Sequence, residues 1–244
     1  MYAEFHPRPE LDQVVACTWE RVAGDATGLV LPDGCVDIVW REGVLEIAGP
    51  DTEAKAVALR PGEEIAGIRL RPGVAGPVLG LPAMELRDAR VPLEDVWGRA
   101  GAALARRVGS APRSDQRVIL EDALLARMRV APEPDVTVLS GARLLGLAGS
   151  RVGSLSRAVG MGERQLLRRF QAAVGYGPKT LDRVIRLQRF LALAPSVSSG
   201  EVGLARVAAE LGYADQAHLT RECVRLSGLT PLRLLERWAT RRSG

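Results

Sequence analysis

The 244-residue sequence has few of the residues on which metal centres, disulfide frameworks and membrane spans depend. Its two histidines, His6 and His218, are too few for a histidine-rich metal site or a Ser-His-Asp triad. Its three cysteines are odd in number and widely spaced, which is typical of reduced thiols. No apolar run approaches the roughly 20 residues of a membrane span, and the N-terminus lacks a secretory pattern. We therefore expect a cytoplasmic protein without membrane contact, metal or cofactor.

Catalytic signatures are also missing, because the sequence contains no GxGxxG, Walker or GxSxG motif. Lysine is nearly absent as well, since Lys55 and Lys179 are the only two, and arginine carries almost all positive charge. That charge is unevenly distributed: residues 1–130 have a net charge of −4, and residues 131–244 have a net charge of +8. We predict no catalytic residue, and we expect the basic half to meet a polyanion.

The first half of the chain alternates short apolar runs with turn residues such as Pro32-Asp33-Gly34. This pattern predicts an antiparallel sheet that closes towards a barrel or sandwich, with strands within 11–19, 35–40, 44–48, 54–59 and 65–70. Helical spacing follows and predicts accessory helices at 81–87, 92–97, 98–108 and 114–129. Because prolines at 132 and 134 cannot continue a helix, we predict domains at 1–130 and 136–244 with a linker at 131–135.

The second half is predicted to be all-helical, with about seven helices, so that the fold class is α+β. It also repeats itself at an offset of 53 residues: Leu166, Arg168, Gly175 and Pro178 recur as Leu219, Arg221, Gly228 and Pro231. Gly160 and Gly212 are 52 residues apart, which places one extra residue in the second turn. A short helix, a glycine turn and a second helix form the helix-turn-helix pattern.

The second helix of each repeat has an apolar and a polar face. The apolar faces, which we expect to be buried, contain Leu166, Phe170 and Val174 in one repeat and Leu219, Cys223 and Leu226 in the other. The polar faces include Arg164, Arg168 and Gln171, and then Gln216, Ala217, Thr220 and Arg221. Arginine can read guanine, glutamine can read adenine, and small apolar groups can touch the thymine methyl. We also expect Asp215 to cap its helix, where the first repeat has only Gly162.

The stretches SLSRAVGMGERQLLRRFQAAVGYGPKTLDRVIRLQRFLAL and LARVAAELGYADQAHLTRECVRLSGLTPLRLL closely resemble the DNA-binding domain of AraC/XylS-type transcription regulators. The resemblance implies two helix-turn-helix units on a long linker helix, with both recognition helices in successive major grooves. The first half, through LPDGCVDIVW (31–40), GIRLRPG (67–73) and VPLEDVWG (91–98), is similar to the N-terminal domain of one subset of these regulators, which implies a sensor or dimerisation domain. A homodimer, a small-molecule effector and, for an activator, RNA polymerase are the partners expected besides double-stranded DNA.

Position by position, the resemblance places Arg164, Leu167 and Arg168 at the bases in the first unit, although Leu167 replaces a common polar residue. In the second unit it places Gln216, Ala217, Thr220 and Arg221 there. For the phosphates we predict contacts from arginines and one lysine on the surrounding helices. These residues are Arg151, Arg157, Arg169, Lys179, Arg183 and Arg225.

Three other interpretations stay open. In the first interpretation, the charged helix faces bind nothing and are simply exposed to solvent. In the second, the chain is an architectural protein that binds DNA with little sequence preference. In the third, a DNA-directed enzyme transfers an alkyl group to a reactive cysteine, for which Cys35 is the best candidate. For a ligand pocket in the first half, strand ends and turns suggest Trp19, Asp33, Asp37, Trp40, Arg69 and Arg71. Turn chemistry at Asp33 and a core position for Trp40 are the competing explanations.

Overall fold

The computed structural model describes residues 1–24, 28–147 and 152–243. Its first part contains a six-stranded antiparallel sheet in the order β1-β2-β7-β4-β5-β8 and a separate two-stranded ribbon, β3-β6. The strands are β1 (Tyr2–Phe5), β2 (Val15–Val22), β3 (Gly28–Val30), β4 (Val36–Arg41), β5 (Val44–Ala48), β6 (Lys55–Val57), β7 (Glu64–Leu70) and β8 (Arg90–Pro92). The predicted antiparallel sheet is confirmed, with β1 and β8 as additional outer strands. The strand predicted within 54–59 lies instead in the two-stranded ribbon, as β6.

One face of this sheet forms the main core of the first part. Val36 and Ile38 of β4 lie beside Ile68 and Leu70 of β7, and all four are buried against helices. These helices are α1 (Ala75–Leu79), α2 (Leu93–Trp97), α3 (Arg99–Ser110) and α4 (Arg113–Met128), with 3₁₀ turns at Pro9–Leu11 and Ala83–Leu86. Because side chains alternate along a strand, the intervening residues of β4 and β7 point to the opposite face.

The second part is all-helical, as predicted. It contains α5 (Val136–Gly146), α6 (Val152–Ala158), α7 (Glu163–Val174), α8 (Pro178–Ala192), α9 (Ala194–Ser198), α10 (Leu204–Glu210), α11 (Gln216–Ser227) and α12 (Pro231–Ser243). Asp135 caps α5 by accepting hydrogen bonds from the backbone N–H groups of Thr137 and Val138. Among the described residues, no helix combines the length and the apolar character needed to cross a bilayer.

The two parts touch each other, and the proposed linker at 131–135 has neither helix nor strand. Helix α7 contacts α1 and the 3₁₀ turn at Ala83–Leu86. Leu31, next to β3, is buried in a cluster with Leu187 of α8 and Leu219 of α11. The division into domains at 130 and 136 stays a prediction, since chain segments from both sides share this core.

Candidate nucleic-acid interface and ligand cavity

The two helix-turn-helix units have the same turn. Gly160 follows α6 with φ = +66°, and Gly212 follows α10 with φ = +75°, a backbone region that L side chains rarely adopt. The Met161 N–H donates to the Ser156 carbonyl at 2.9 Å, and the Tyr213 N–H donates to the Ala208 carbonyl at 2.9 Å. These bonds are related by the sequence offset of 52, so the repeat seen in the sequence is also a repeat of structure.

The recognition helices α7 and α11 also end alike, on glycines in the left-handed region, Gly175 (φ +96°) and Gly228 (φ +73°). They begin differently. The Asp215 carboxylate accepts the His218 N–H at 2.6 Å, whereas Gly162 offers α7 no side-chain cap. The prediction that Asp215 caps its helix is therefore confirmed.

The helix faces divide as the sequence pattern indicates. The six apolar residues predicted to face inward are buried: Leu166, Phe170, Val174, Leu219, Cys223 and Leu226. Most of the residues predicted at the bases are exposed, namely Arg164, Leu167, Arg168, Gln216, Ala217 and Arg221, while Gln171 and Thr220 are half-buried. The Thr220 hydroxyl donates to the Gln216 carbonyl at 3.0 Å. Their contacts with bases stay a prediction.

The cations predicted at the phosphates fall into two groups. Arg157, Lys179 and Arg225 are exposed around the two units. Arg169 instead pairs with Asp135 at 3.2 Å, and Arg183 pairs with the buried Glu222 at 3.3 Å. These two guanidinium groups therefore already have an intramolecular partner. Arg151 lies outside the described residues, and the phosphate role of the whole set stays a prediction.

Helix α8 belongs to both units at once. Leu181 and Val184 pack with Leu166 and Phe170 in the first unit's core. The other end of α8 packs in the second unit's core, through the residues Leu187, Phe190 and Leu191. The pair between Arg183 and Glu222 then fixes α11 against the middle of α8. Helix α8 has 15 residues and is therefore about 22 Å long, and it links the cores of the two units directly.

A second feature is a cavity of about 730 Å³ on the other face of the six-stranded sheet. Asp33, Asp37 and Arg69 line this cavity, as three of the six residues predicted for a ligand pocket. The other three lie elsewhere. Trp19 packs over Gly67, Trp40 packs against the main core, and Arg71 lines a separate, smaller cavity beside α5. Strand alternation explains the result for Trp40, because it points away from Asp37 across β4.

Ion pairs dominate the electrostatics of the cavity. The Arg69 guanidinium donates to both carboxylate oxygens of Asp37, at 3.0 and 3.1 Å, and lies 3.3 Å from Asp33. Burial alone would lower the pKa of Arg69, but the carboxylates of Asp37 and Asp33 raise it above its usual value. Burial raises the pKa of Asp33. Arg69 therefore faces two carboxylates with a single positive charge.

Sequence reasoning missed half of the charged residues in this cavity. Glu4 of β1, Asp51 after β5 and Arg90 of β8 line it, together with Gln188 of α8 and Trp238 of α12. Arg90 donates to both oxygens of Asp51, at 3.2 and 2.8 Å. These positions carry no local signal in the sequence, because they converge only through tertiary structure.

Cys35 also lines the cavity, but its environment does not favour a nucleophile. Burial raises the pKa of the Cys35 thiol well above its usual value, and the carboxylate of Asp33 raises it further. The thiolate is the reactive form, so this pKa opposes alkyl transfer to Cys35.

Within the part of the chain that the structure describes, no group of three or more His, Cys, Asp and Glu could hold a metal ion.

Each part of the chain matches the model of a known domain family. Residues 3–92 match the model of a domain of unknown function, DUF6597, and residues 155–237 match the model of a helix-turn-helix domain. The chain carries a helix-turn-helix domain of the AraC type. This domain supports a DNA-binding transcription regulator. The raised pKa of the Cys35 thiol opposes the interpretation of Cys35 as a catalytic nucleophile. Among curated protein sequences, none matches the chain.

Solved structures of ToxT from Vibrio cholerae are similar to the chain at low sequence identity. ToxT from strain O395 aligns over 96% of this chain and 95% of that chain, with 10% identity and a TM-score of 0.42. ToxT with a bound unsaturated fatty acid aligns over 89% and 93%, with 11% identity and a TM-score of 0.43. ToxT bound to (E)-4-(8-methylnaphthalen-1-yl)but-3-enoic acid aligns over 97% and 99%, with 10% identity and a TM-score of 0.46.

Proposed function

We propose that this regulator reads a specific DNA sequence by placing α7 and α11 in successive major grooves on one face of the duplex. The observation that carries the proposal is the pair of equivalent units on the shared helix α8, each with an exposed polar face. Grooves on one face of B-DNA recur about every 34 Å. Arg168 and Arg221 occupy equivalent positions in the two units, and arginine forms two hydrogen bonds to guanine.

Phosphate contacts supply most of the affinity in this proposal. Arg157, Lys179 and Arg225 are exposed beside the polar helix faces, and the second half has a net charge of +8. Each phosphate neutralised by a cation releases counterions, so the binding constant falls steeply as salt concentration rises. A homodimer and a contact with RNA polymerase are further expected partners of the full chain.

Control by an effector is the second element of the proposal. The 730 Å³ cavity is bounded by the sheet on one side and by Gln188 of α8 and Trp238 of α12 on the other. Gln188 donates from its side-chain amide to the Pro32 carbonyl at 2.6 Å, and Pro32 also lines the cavity. A ligand there would contact both parts of the chain and would favour one relative placement of them.

A loop of residues 49–54, here named the bridging loop, connects this cavity to both recognition helices. Asp51 lines the cavity, and a Cβ on Gly175, at the end of α7, would lie 2.5 Å from Pro50. The Ala54 N–H donates to the Leu226 carbonyl in the last turn of α11 at 2.7 Å. A shift of this loop would therefore alter how both helices are held, which supports control through the cavity.

Genome-wide footprinting with the purified protein tests the sequence-specific function. We expect a recurrent motif of two half-sites at the protected positions. Arg168→Ala and Arg221→Ala should each relax base preference in one half-site, with about 1–3 kcal/mol of discrimination lost. Arg60→Ala is the matched control, because Arg60 is a largely exposed arginine in the first part of the chain that pairs with Glu42.

Two results of this experiment would contradict the proposal. A footprint with no preferred site would favour an architectural DNA-binding protein instead. Unchanged base preference in both arginine variants would remove α7 and α11 from the bases, and solvated helix faces would then be the better interpretation.

A further inference from the structure

The cavity between the sheet and the C-terminal helices has an unbalanced charge. The charged side chains that line it are four carboxylates and two guanidinium groups: Glu4, Asp33, Asp37, Asp51, Arg69 and Arg90. If every group is ionised, two negative charges remain in excess. Among the described lining residues there is neither a lysine nor a histidine to offset them.

The excess is located around Arg69. Arg90 and Asp51 neutralise each other through two hydrogen bonds. Arg69, by contrast, is shared among three carboxylates, with Asp37 at 3.0 Å, Asp33 at 3.3 Å and Glu4 at 3.4 Å. One guanidinium group neutralises one carboxylate. The negative charge of two of these three carboxylates is therefore not neutralised at this end of the cavity.

The acidic groups have bonds that keep them in place. The Asp33 carboxylate accepts the Cys35 N–H at 2.9 Å, and the Tyr2 hydroxyl donates to Glu4 at 2.6 Å. Burial raises the pKa of Asp33, which is consistent with a carboxylate whose negative charge the protein compensates incompletely. A hydrogen bond from the protein therefore orients both carboxylates at the acidic end of the cavity, where Asp33 is half-buried and Glu4 is exposed.

Apart from Cys35 and the amide of Gln188, the side chains of the remaining walls are aromatic and apolar. The side chains of Tyr2 and Trp238 line the cavity, as do Val30, Leu31 and Ala48. Aromatic faces attract organic cations, and Trp is the most effective of the aromatic side chains in this respect. Carboxylates together with aromatic groups are the combination that recognises ammonium compounds.

We propose that the cavity binds a small organic cation, an amine or a quaternary ammonium compound, with its charge beside Glu4 and Asp33 and its body along the apolar wall. The proposal rests on effector control as proposed above and assigns the effector its chemical class. A carboxylate ligand, such as the unsaturated fatty acid bound to ToxT, would add a fourth carboxylate beside Glu4, Asp33 and Asp37, and such like-charge contacts reject a ligand.

Titration of the full-length protein with tetramethylammonium chloride, followed by the indole N–H signals in NMR spectra, tests this inference. The chain has four tryptophans, of which Trp238 lines the cavity and Trp40 is remote from it. We expect a saturable shift of the Trp238 signal, identified with Trp238→Phe, and none for Trp40. Sodium propionate at equal ionic strength should give no saturable shift.

Isosteric substitutions of the two carboxylates test which negative charges hold the bound cation. Glu4→Gln and Asp33→Asn keep an oxygen for Tyr2 and Cys35, respectively, and each should weaken tetramethylammonium binding about tenfold. Glu10→Gln is the control, because Glu10 is an exposed carboxylate outside the cavity.

Three results would overturn the cation site: no saturable shift of Trp238, a saturable shift with propionate instead, or a tetramethylammonium affinity in Asp33→Asn and Glu4→Gln that equals that of the unsubstituted protein. Because the titration contains no DNA, its failure leaves groove binding standing. Conversely, the protein could bind tetramethylammonium and yet show no preferred site in genomic footprinting. That result would overturn the proposed sequence-specific function and leave the cation site standing.

Discussion

The contact between the first recognition helix and the bridging loop can be tested with a matched pair of substitutions, Gly175→Ala and Gly228→Ala. Both glycines end a recognition helix in the left-handed region, with φ values of +96° and +73°. Their surroundings differ, however. A Cβ at Gly175 would lie 2.5 Å from Pro50 and 3.1 Å from the Ala83 carbonyl, whereas a Cβ at Gly228 would have nothing within 4 Å.

The expected losses follow from these two environments. An alanine in the left-handed region costs about 1 kcal/mol, so Gly228→Ala should lower the free energy of unfolding by about that amount. Gly175→Ala has the same backbone cost and an overlap with Pro50 and with a backbone carbonyl that cannot rotate away. Such overpacking typically costs about 1–3 kcal/mol more, for a total loss of about 2–4 kcal/mol.

Urea unfolding measures the difference, since the midpoint falls in proportion to the lost stability when the slope stays constant. The difference between the two variants cancels the shared backbone cost and reports on the contacts that the end of α7 makes with Pro50 of the bridging loop and with the Ala83 carbonyl. Equal losses in both variants would refute the reasoning, because they would mean that Gly175 is as open in solution as Gly228.

Three further predictions concern the cap, the thiols and the phosphates. Asp215→Ala should destabilise the protein by about 1 kcal/mol in thermal unfolding, whereas Asp215→Asn should retain most of the stability because asparagine caps equally well. Equal losses in the two variants would exclude the capping hydrogen bond from the His218 N–H to the Asp215 carboxylate. Iodoacetamide should label Cys35 slowly in the native protein at neutral pH and fast in urea, because burial raises the pKa of its thiol; fast native labelling would contradict that environment. Lys179→Ala should reduce the slope of log binding constant against log salt by about 1 without changing base preference, and an unchanged slope would remove Lys179 from the phosphates.

The all-helical character of the second half could be predicted from the sequence. Helix α7 (Glu163–Val174) shows why, because its 3.6-residue period is flanked by Gly162 and Gly175, where the helix begins and ends. Such signals are local, and glycine, proline and aspartate mark where each helix begins or ends. Helix α9 (Ala194–Ser198) was missed, since five residues carry too little periodicity to distinguish a helix from a turn.

The cavity could be predicted only in part, for a physical reason. Asp37 and Arg69 face each other because β4 and β7 pair in that register, and both residues were among the candidates. The remaining walls come from positions as distant as Glu4, Asp51 and Trp238, which tertiary packing brings together. A single sequence without local periodicity at these positions contains no signal for that convergence. The short strands β1 and β8 were missed for the same reason, since three or four residues show no clear alternation.

Protection of guanine N7 from dimethyl sulfate along the bound site tests the central claim most directly, because N7 faces the major groove. Two recognition helices on the shared helix α8 should protect two clusters on one face of the duplex, with centres about 10–10.5 base pairs apart. Arg168→Ala should restore reactivity in one cluster and Arg221→Ala in the other. A single protected cluster, or two clusters on opposite faces of the DNA, would contradict the account.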